Sequence, residues 1–207
     1  MSGIVAVVDY GAGNLTSVVH GLTAAGGRVC VATDPGGMAG AAGLVVPGVG
    51  HFGATAALGA EWRRAILAHV ADGRPLLGIC LGMQWLFEGS DEAPDVPGLA
   101  LLRGRCTRLG GDVKVPHVGW NRLERTRPAR LLRDVADPAW AYFTHTYAID
   151  ALDDAAAVTS HGRRFAAVVE RGQVFGTQYH PEKSGADGIR QLASFVALAS
   201  EEARRAV

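Results

Sequence analysis

The chain has 207 residues, 48% of them hydrophobic, and its 20 Lys and Arg side chains balance 20 Asp and Glu side chains. This length and apolar content predict a single globular domain over residues 1–207 with a sizeable core. Balanced charge without a basic cluster argues against nucleic acid or a membrane surface as a partner, because binding to either draws on many Lys and Arg contacts.

The three cysteines, Cys30, Cys80 and Cys106, are an odd number and show no C-x-x-C spacing for a metal site. Free thiols suit a reducing compartment. No segment has the roughly 18 consecutive apolar residues of a membrane span, and the first residues lack the pattern of a signal peptide. We therefore expect a cytoplasmic protein that needs no metal ion and no cofactor.

Strand-like runs alternate with helical spacing in the first half of the chain. Apolar and β-branched runs predict strands at residues 4–8, 28–32, 44–46 and 76–79. Apolar residues at helical spacing predict helices near residues 15–25, 62–72 and 81–88. Since β-α-β units join parallel strands through right-handed crossovers, a parallel sheet follows.

Beyond residue 98, short strand-like runs are separated by turns at residues 100–109, 140–149, 155–160, 165–170 and 174–179. They predict an antiparallel or mixed extension of the sheet. A final amphipathic helix, with apolar residues from Ile189 to Ala199 on one face, covers the core. The predicted fold is α/β, with a flavodoxin-like, largely parallel mixed sheet flanked by helices and antiparallel strands in the C-terminal half.

Cys80 lies between two glycines at residues 78–82, directly after an apolar run. A nucleophile on a sharp strand-to-helix turn needs such small neighbours two residues away on either side, because a Cβ there collides with the tight backbone. Cys80 is therefore a candidate nucleophile. The pentapeptide by itself also fits a buried cysteine that packs like a small hydrophobe.

A cysteine nucleophile needs a base, and the base needs a group that orients it. His180 follows a predicted strand, and Glu182 comes two residues later. The carboxylate can hold one imidazole nitrogen while the other faces the thiol, as in a Cys-His-Glu triad. An arbitrary H-x-E run is more often a solvated strand end, so this assignment depends on the turn at Cys80.

An acyl-transfer site also needs donors for an oxyanion. The amide of Leu81 is one candidate, because backbone N–H groups at a helix start have no intrahelical acceptor. The loop at residues 47–50, Pro-Gly-Val-Gly, follows the third strand and offers the amides of Val49 and Gly50. These glycines also fit an ordinary turn.

Three motifs, Pro-Gly-Val-Gly at 47–50, Gly-Ile-Cys-Leu-Gly-Met-Gln at 78–84 and His-Pro-Glu-Lys-Ser at 180–184, resemble a class I (triad) glutamine amidotransferase domain. The resemblance spans essentially the whole chain. Within that family, residues 9–14, 48–52, 116–121 and 145–147 are similar to the glutaminase subunit of imidazole glycerol phosphate synthase. The stretch at 116–121, Pro-His-Val-Gly-Trp-Asn, is the most discriminating, because all family members share the triad.

The resemblance implies further roles. Gln84 and Glu92 match positions that contact bound L-glutamine, and Gln84 is one helical turn after Cys80. Asn14, Tyr142 and Lys183 match positions at the interface with the synthase partner. Each of these residue types is also common on ordinary surfaces.

The implied reaction is hydrolysis of L-glutamine to glutamate and ammonia through a thioester on Cys80. The implied partner is a (β/α)8-barrel cyclase subunit that forms a heterodimer with the chain. Ammonia passes to this subunit and enters imidazole glycerol phosphate, with release of an aminoimidazole carboxamide ribotide, in histidine biosynthesis. The resemblance also implies low basal activity that rises when the partner's nucleotide substrate binds.

Three alternatives remain at this stage. A glutaminase for pyridoxal phosphate, anthranilate or aminodeoxychorismate synthesis shares the triad. A cysteine peptidase on a related α/β fold shares the turn at the nucleophile. A nucleotide-binding module is suggested by the glycines at 11 and 13 with Asp34 about twenty residues later, but Thr16 stands where the fingerprint requires a small residue.

Overall fold

The computed structural model describes residues 3–150 and 153–205, with backbone only for 202–205. Its first half alternates strands and helices: β1 (Ile4–Val8), α1 (Leu15–Ala24), β2 (Arg28–Ala32), β3 (Gly43–Val46), α2 (Ala60–Ala71), β4 (Leu76–Ile79) and α3 (Leu81–Trp85). Short 3-10 turns lie at Pro35–Met38 and Phe52–Ala57.

The second half consists mainly of strands: β5 (Gly89–Ser90), β6 (Arg105–Arg108), β7 (His117–Arg125), β8 (Ala139–His145), β9 (Tyr147–Ala148), β10 (Ala155–His161), β11 (Arg163–Arg171) and β12 (Val174–Thr177). The long helix α4 (Gly185–Arg205) follows them, and 3-10 turns lie at Arg130–Leu132 and Pro181–Lys183. Among the described residues, no helix combines the length and the apolar character that a membrane crossing requires.

A nine-stranded sheet in the order β2-β1-β3-β4-β12-β11-β10-β7-β8 forms the centre of the molecule. The strands from β2 to β12 in this order are parallel, and those from β12 to β8 pair antiparallel. A smaller sheet contains β5, β6 and β9. The predicted α/β fold, with a parallel first part and antiparallel strands in the C-terminal half, is confirmed.

Both faces of the inner parallel strands β1, β3 and β4 are buried, whereas β2 at the edge of the sheet is partly exposed. In β1, Val5 and Val7 belong to one apolar cluster and Ala6 and Val8 to another on the opposite face. The first cluster includes residues of α1 and α4, and the second includes residues of α2 and α3. This double coverage explains why the strand reads as a continuous apolar run rather than an alternating one.

The helix after Cys80 is shorter than predicted, because it ends at Trp85 rather than residue 88. The segment at 98–102 runs back past this point, and its amides donate to the carbonyls of residues 85–88: Leu99 to Trp85 (2.6 Å) and Leu102 to Leu86 (3.1 Å). The backbone carbonyls at the helix end are therefore satisfied by a neighbouring segment instead of a further helical turn.

Two strand predictions differ from the structure. Of the predicted run at 100–109, only Arg105–Arg108 is a strand, because residues 98–102 bind the end of α3. Strand β7 was not predicted at all. Its side chains are mostly polar, and it forms by pairing with β8 over its length, from His117 opposite His145 to Leu123 opposite Ala139. Non-local pairing of this kind is not visible in the local pattern.

Phe195 of α4 offers a direct test of this core. It is fully buried and its ring lies 6.2 Å from that of Phe175 on β12. We expect Phe195→Ala to lower the free energy of unfolding by about 3–5 kcal/mol, through lost burial and a residual cavity. Urea unfolding measures this change. The control is Leu67→Ala on α2, where the side chain is 41% exposed and the expected change is within about 0.5 kcal/mol. Equal effects of the two substitutions would contradict this packing.

Candidate active site

Cys80 lies on the sharp turn that the sequence predicts between β4 and α3. Its φ of 52° and ψ of −106° lie in a region that non-glycine residues rarely adopt, which costs on the order of 1–3 kcal/mol. The turn is held at both ends, because the Cys80 amide donates to the Thr177 carbonyl (2.7 Å) and the Cys80 carbonyl accepts from the Gln84 amide (3.0 Å). Such a strained conformation persists only where surrounding contacts hold the backbone in place.

The two glycines beside Cys80 are required by packing. A Cβ on Gly78 would lie 2.7 Å from backbone atoms of Gly82 and Met83, and a Cβ on Gly82 would overlap the carbonyl of Val46. The neighbouring backbone therefore has no room for any side chain at either position. This is the steric reason that the sequence pattern suggested.

His180 and Glu182 form a buried pair behind the turn. His180 follows β12 and begins the 3-10 turn, and its Nδ1 lies 2.8 Å from Oε1 of Glu182. Both side chains are almost completely buried, with 2% and 1% exposure. Nε2 of His180 has no hydrogen-bond partner by standard geometric criteria among the described residues. Glu182 thus orients the imidazole through one nitrogen and leaves the other available.

The electrostatics of this pair favour an imidazolium. Burial alone lowers the pKa of His180, but interactions with the Cys80 sulfur and the Glu182 carboxylate outweigh it, and the net shift is upward. A thiolate on Cys80 and a proton on His180 therefore stabilise each other. That is the charge state in which a cysteine nucleophile attacks and a histidine then donates a proton.

A cavity of about 270 Å³ opens in front of Cys80. Its wall is formed by residues of several loops and strands: Gly50, Cys80, Leu81, Gln84, Glu92, Pro116, Thr144, His145, Thr146 and Tyr147. The structure thus brings together five residues that the sequence proposed for catalysis, oxyanion binding or substrate binding. The volume is small for a ligand pocket and suits a molecule the size of an amino acid.

The two proposed substrate residues are held in place by backbone groups. Nε2 of Gln84 donates to the Tyr147 carbonyl (2.9 Å) and to Oε1 of Gln178 (3.3 Å). Oε2 of Glu92 accepts from the amide of Phe52 (2.7 Å). Both side chains therefore enter the cavity wall with fixed orientations.

The amide of Leu81, proposed as an oxyanion donor, is engaged in this structure. It donates to the carbonyl of Gly48 at 3.3 Å. Gly50 lines the cavity with a φ of 98°, whereas Val49 is 37% exposed and is not part of the cavity wall. The loop at 47–50 thus occupies one of the donors that an oxyanion would need.

Polar residues behind the cavity were not assigned roles from the sequence. His145 Nδ1 is 2.9 Å from the Tyr147 carbonyl, and its Nε2 is 3.1 Å from Nδ1 of His117. Nε2 of His117 lies 3.3 Å from Nδ2 of Asn121. Since a carbonyl only accepts, His145 carries a proton on Nδ1. The NH2 group of Asn121 can only donate, so Nε2 of His117 accepts and its Nδ1 donates to Nε2 of His145. Both imidazoles are therefore neutral. The motifs at 116–121 and 145–147 contained these residues, but only the β7–β8 register shows that they meet.

Two of the three proposed interface residues, Tyr142 and Lys183, lie next to His180, and the third, Asn14, lies at the start of α1. Asn14 is exposed and caps α1, where its side chain accepts from the Ser17 amide (3.2 Å). The carbonyl of Tyr142 accepts from the His180 amide (3.0 Å), and the amide of Lys183 donates to the His180 carbonyl (3.0 Å). Two of the residues proposed for partner contact, Tyr142 and Lys183, are therefore bonded to the backbone of the proposed catalytic histidine.

Comparisons with known proteins agree with this geometry. The family model for class I glutamine amidotransferases matches residues 6–197. The chain belongs to the class I glutamine amidotransferase family. It is 47% identical to the imidazole glycerol phosphate synthase subunit HisH of Halobacterium salinarum, over 96% of this chain and 94% of the relative.

Further matches show the same family and fold. The subunit of the same name from Symbiobacterium thermophilum is 45% identical, over 92% of each chain. Among solved structures, a chain of PurLQS from Thermotoga maritima matches with a TM-score of 0.73 and 18% identity, covering 99% of this amidotransferase and all of that chain. At that identity the likeness concerns the fold alone.

Buried neutral histidines predict an acid-sensitive stability. Burial lowers the pKa of His145 to about 3, whereas an unfolded histidine titrates near 6.5. The stability from neutral His145 is thus fully present above pH 6.5 and is lost as the pH falls towards 3, by up to about 1.4 kcal/mol per pH unit. Between pH 6.5 and 4, we expect the free energy of unfolding of His145→Gln to fall less steeply than that of the wild type. The expected difference in slope is up to about 1.4 kcal/mol per pH unit. The exposed His20→Gln control keeps the wild-type slope, and an unchanged slope in His145→Gln would contradict the assignment.

Proposed function

We propose that this chain is the glutamine-hydrolysing subunit of imidazole glycerol phosphate synthase and that it supplies ammonia for histidine biosynthesis. The observation that carries the proposal is a strained Cys80 at the wall of an amino-acid-sized cavity, in electrostatic contact with His180. The imidazole of His180 is in turn paired with the buried Glu182. The relatives that bear this subunit's name, at 45–47% identity over nearly the whole chain, support the choice among family members.

The proposed reaction starts with the Cys80 thiolate, which attacks the side-chain carbonyl carbon of L-glutamine and gives a tetrahedral oxyanion. The imidazolium of His180 donates its proton to the departing nitrogen, so that ammonia leaves and a γ-glutamyl thioester remains. Neutral His180 then takes a proton from water as the water attacks the thioester. Glutamate leaves, and the thiolate and imidazolium are restored. Glu182 orients the imidazole and stabilises its charge throughout.

The engaged amide of Leu81 supports a low resting activity. We propose that the Gly48–Val49 peptide rotates, so that Gly48 releases the Leu81 amide and the amides of Val49 or Gly50 turn towards the oxyanion. Glycines at 48 and 50 make such a rotation sterically cheap. A missing oxyanion donor typically costs about 10²–10³ in rate. Completion of the site on partner binding therefore prevents waste of glutamine.

The proposed partner is a (β/α)8-barrel cyclase subunit that forms a heterodimer with this chain and receives the ammonia. Strands β7 and β8 expose Val118, Trp120 and Trp140 by 54–57% on the surface beside Tyr142. Lys183, in the turn that begins at His180, and Asn14, at the start of α1, are the further proposed contacts. Aromatic residues of this kind are enriched at protein interfaces.

We also propose a single domain over residues 1–207, supported by the match at 6–197, and a cytoplasmic location, suited to the free thiols.

Glutamine hydrolysis with and without the partner tests this function. We expect slow ammonia release from the chain alone and a rise of about 10²-fold or more when a barrel cyclase and its nucleotide substrate are both present. Cys80→Ala, which removes the nucleophile, is expected to release no ammonia under any condition. Full-rate hydrolysis without a partner would contradict the proposed control of the oxyanion loop. Stimulation by an anthranilate or aminodeoxychorismate synthase subunit instead would contradict the proposed partner.

A further inference from the structure

Gln178 is a fully buried amide that reaches the nucleophilic sulfur. It follows β12 directly, and its Nε2 lies 3.8 Å from Sγ of Cys80. Its backbone amide is already paired with the Ala167 carbonyl (2.9 Å), so the side chain is not needed to satisfy the strand. A buried glutamine with its donor on the reacting atom calls for an explanation beyond packing.

The orientation of the Gln178 amide is determined by its neighbours. The Tyr147 carbonyl is only an acceptor, so Gln84 presents its NH2 group there, and the same NH2 group donates to Oε1 of Gln178 at 3.3 Å. A flipped Gln178 would place its NH2 against that of Gln84 and its oxygen against the sulfur. The N–H of Gln178 is therefore the group that faces Cys80.

The contacts of the sulfur differ between its two protonation states. As a thiol, Sγ faces the Thr144 carbonyl at 3.9 Å, which can accept its proton. As a thiolate it has no proton to give, and the carbonyl becomes an unfavourable neighbour. The Gln178 N–H group, in contrast, forms a stronger hydrogen bond with an anion than with a neutral thiol. Gln178 consequently favours the thiolate.

We propose that Gln178 is a further catalytic residue of this site, whose amide N–H stabilises the Cys80 thiolate and holds Sγ in position for attack. The proposal deepens the proposed glutaminase function and rests on it for its catalytic meaning. Because Gln84 anchors Gln178 and also lines the substrate cavity, the nucleophile and the substrate wall are linked through two side-chain amides.

Other ionisable groups surround Cys80. Tyr10, Cys106 and His180 interact with it electrostatically. Glu92 and His145 share its cavity wall, and Glu182 pairs with His180. Burial raises the pKa of Tyr10 and Cys106 and lowers that of His145, so these three stay neutral near pH 7. His180 with Glu182 is the charged partner of the thiolate. Replacing Gln178 by leucine changes none of these groups and adds no charge, so a shift in the Cys80 midpoint in that variant reports the loss of the amide.

The test is the pH dependence of Cys80 alkylation by iodoacetamide, followed by mass spectrometry of the Cys80 peptide. Because Gln178→Leu removes a hydrogen bond to the charged form of the sulfur, it should raise the pH midpoint of alkylation by about one unit or more. Gln178→Glu, which keeps the volume but replaces the donor with an acceptor, should raise it further. Under partner-stimulated turnover, kcat should fall about 10-fold or more with little change in KM.

Gln191→Leu on α4 is the matched control. Gln191 is also a buried glutamine, whose Oε1 accepts from the Tyr179 hydroxyl at 2.7 Å, and it does not contact the sulfur. Gln191→Leu should leave the pH midpoint of Cys80 alkylation unchanged. Cys30, which lies on β2, provides an internal reference in every sample.

A wild-type midpoint in a folded Gln178→Leu or Gln178→Glu protein would overturn the proposal. If neither variant folds, Gln84→Leu decides, because it removes the anchor of Gln178 and should shift the midpoint in the same direction by a smaller amount. Alkylation needs neither glutamine nor a partner. A failure of the glutaminase proposal is therefore distinguishable from a failure of this one.

Discussion

The positive φ of Cys80 is the constraint on which the rest of the site depends. Backbone in this conformation turns the chain from β4 into α3 within one residue and projects the sulfur into the cavity. The conformation is costly for a residue with a Cβ. It persists because Gly78 and Gly82 let the two arms of the turn lie against each other and against Val46.

The neighbourhood of the turn follows from one strand pairing. Strand β12 lies beside β4 in parallel, with Thr177 opposite Ile79. The residues to which we assign roles therefore follow the two strand ends: Cys80 comes after β4 and Gln178 after β12, with His180 two residues further along. Ligand sites of open α/β sheets form at these carboxyl ends of the strands. Chain segments about a hundred residues apart meet at one sulfur atom for this reason.

The sequence predicts some parts of this structure well. The bounds of β1, β2 and β4 agree with their apolar runs. For β1 and β4 the reason is burial on both faces, which gives a continuous apolar pattern. The turn at Cys80 was predictable because only glycines fit beside it. Strand β7 was not, since its polar residues become a strand only by pairing with β8. The engaged amide of Leu81 and the contact of Gln178 with the sulfur depend on distances between remote segments, which no local pattern encodes.

The central claim is that the sulfur of Cys80 attacks the carboxamide of glutamine. Acid quenching of the partner-stimulated enzyme during turnover, followed by mass spectrometry of its peptides, tests this claim directly, because a thioester survives in acid. The account predicts a γ-glutamyl adduct on the peptide that contains Cys80 and on no other cysteine. Ammonia release without that adduct, or with the adduct on Cys30 or Cys106, would contradict it.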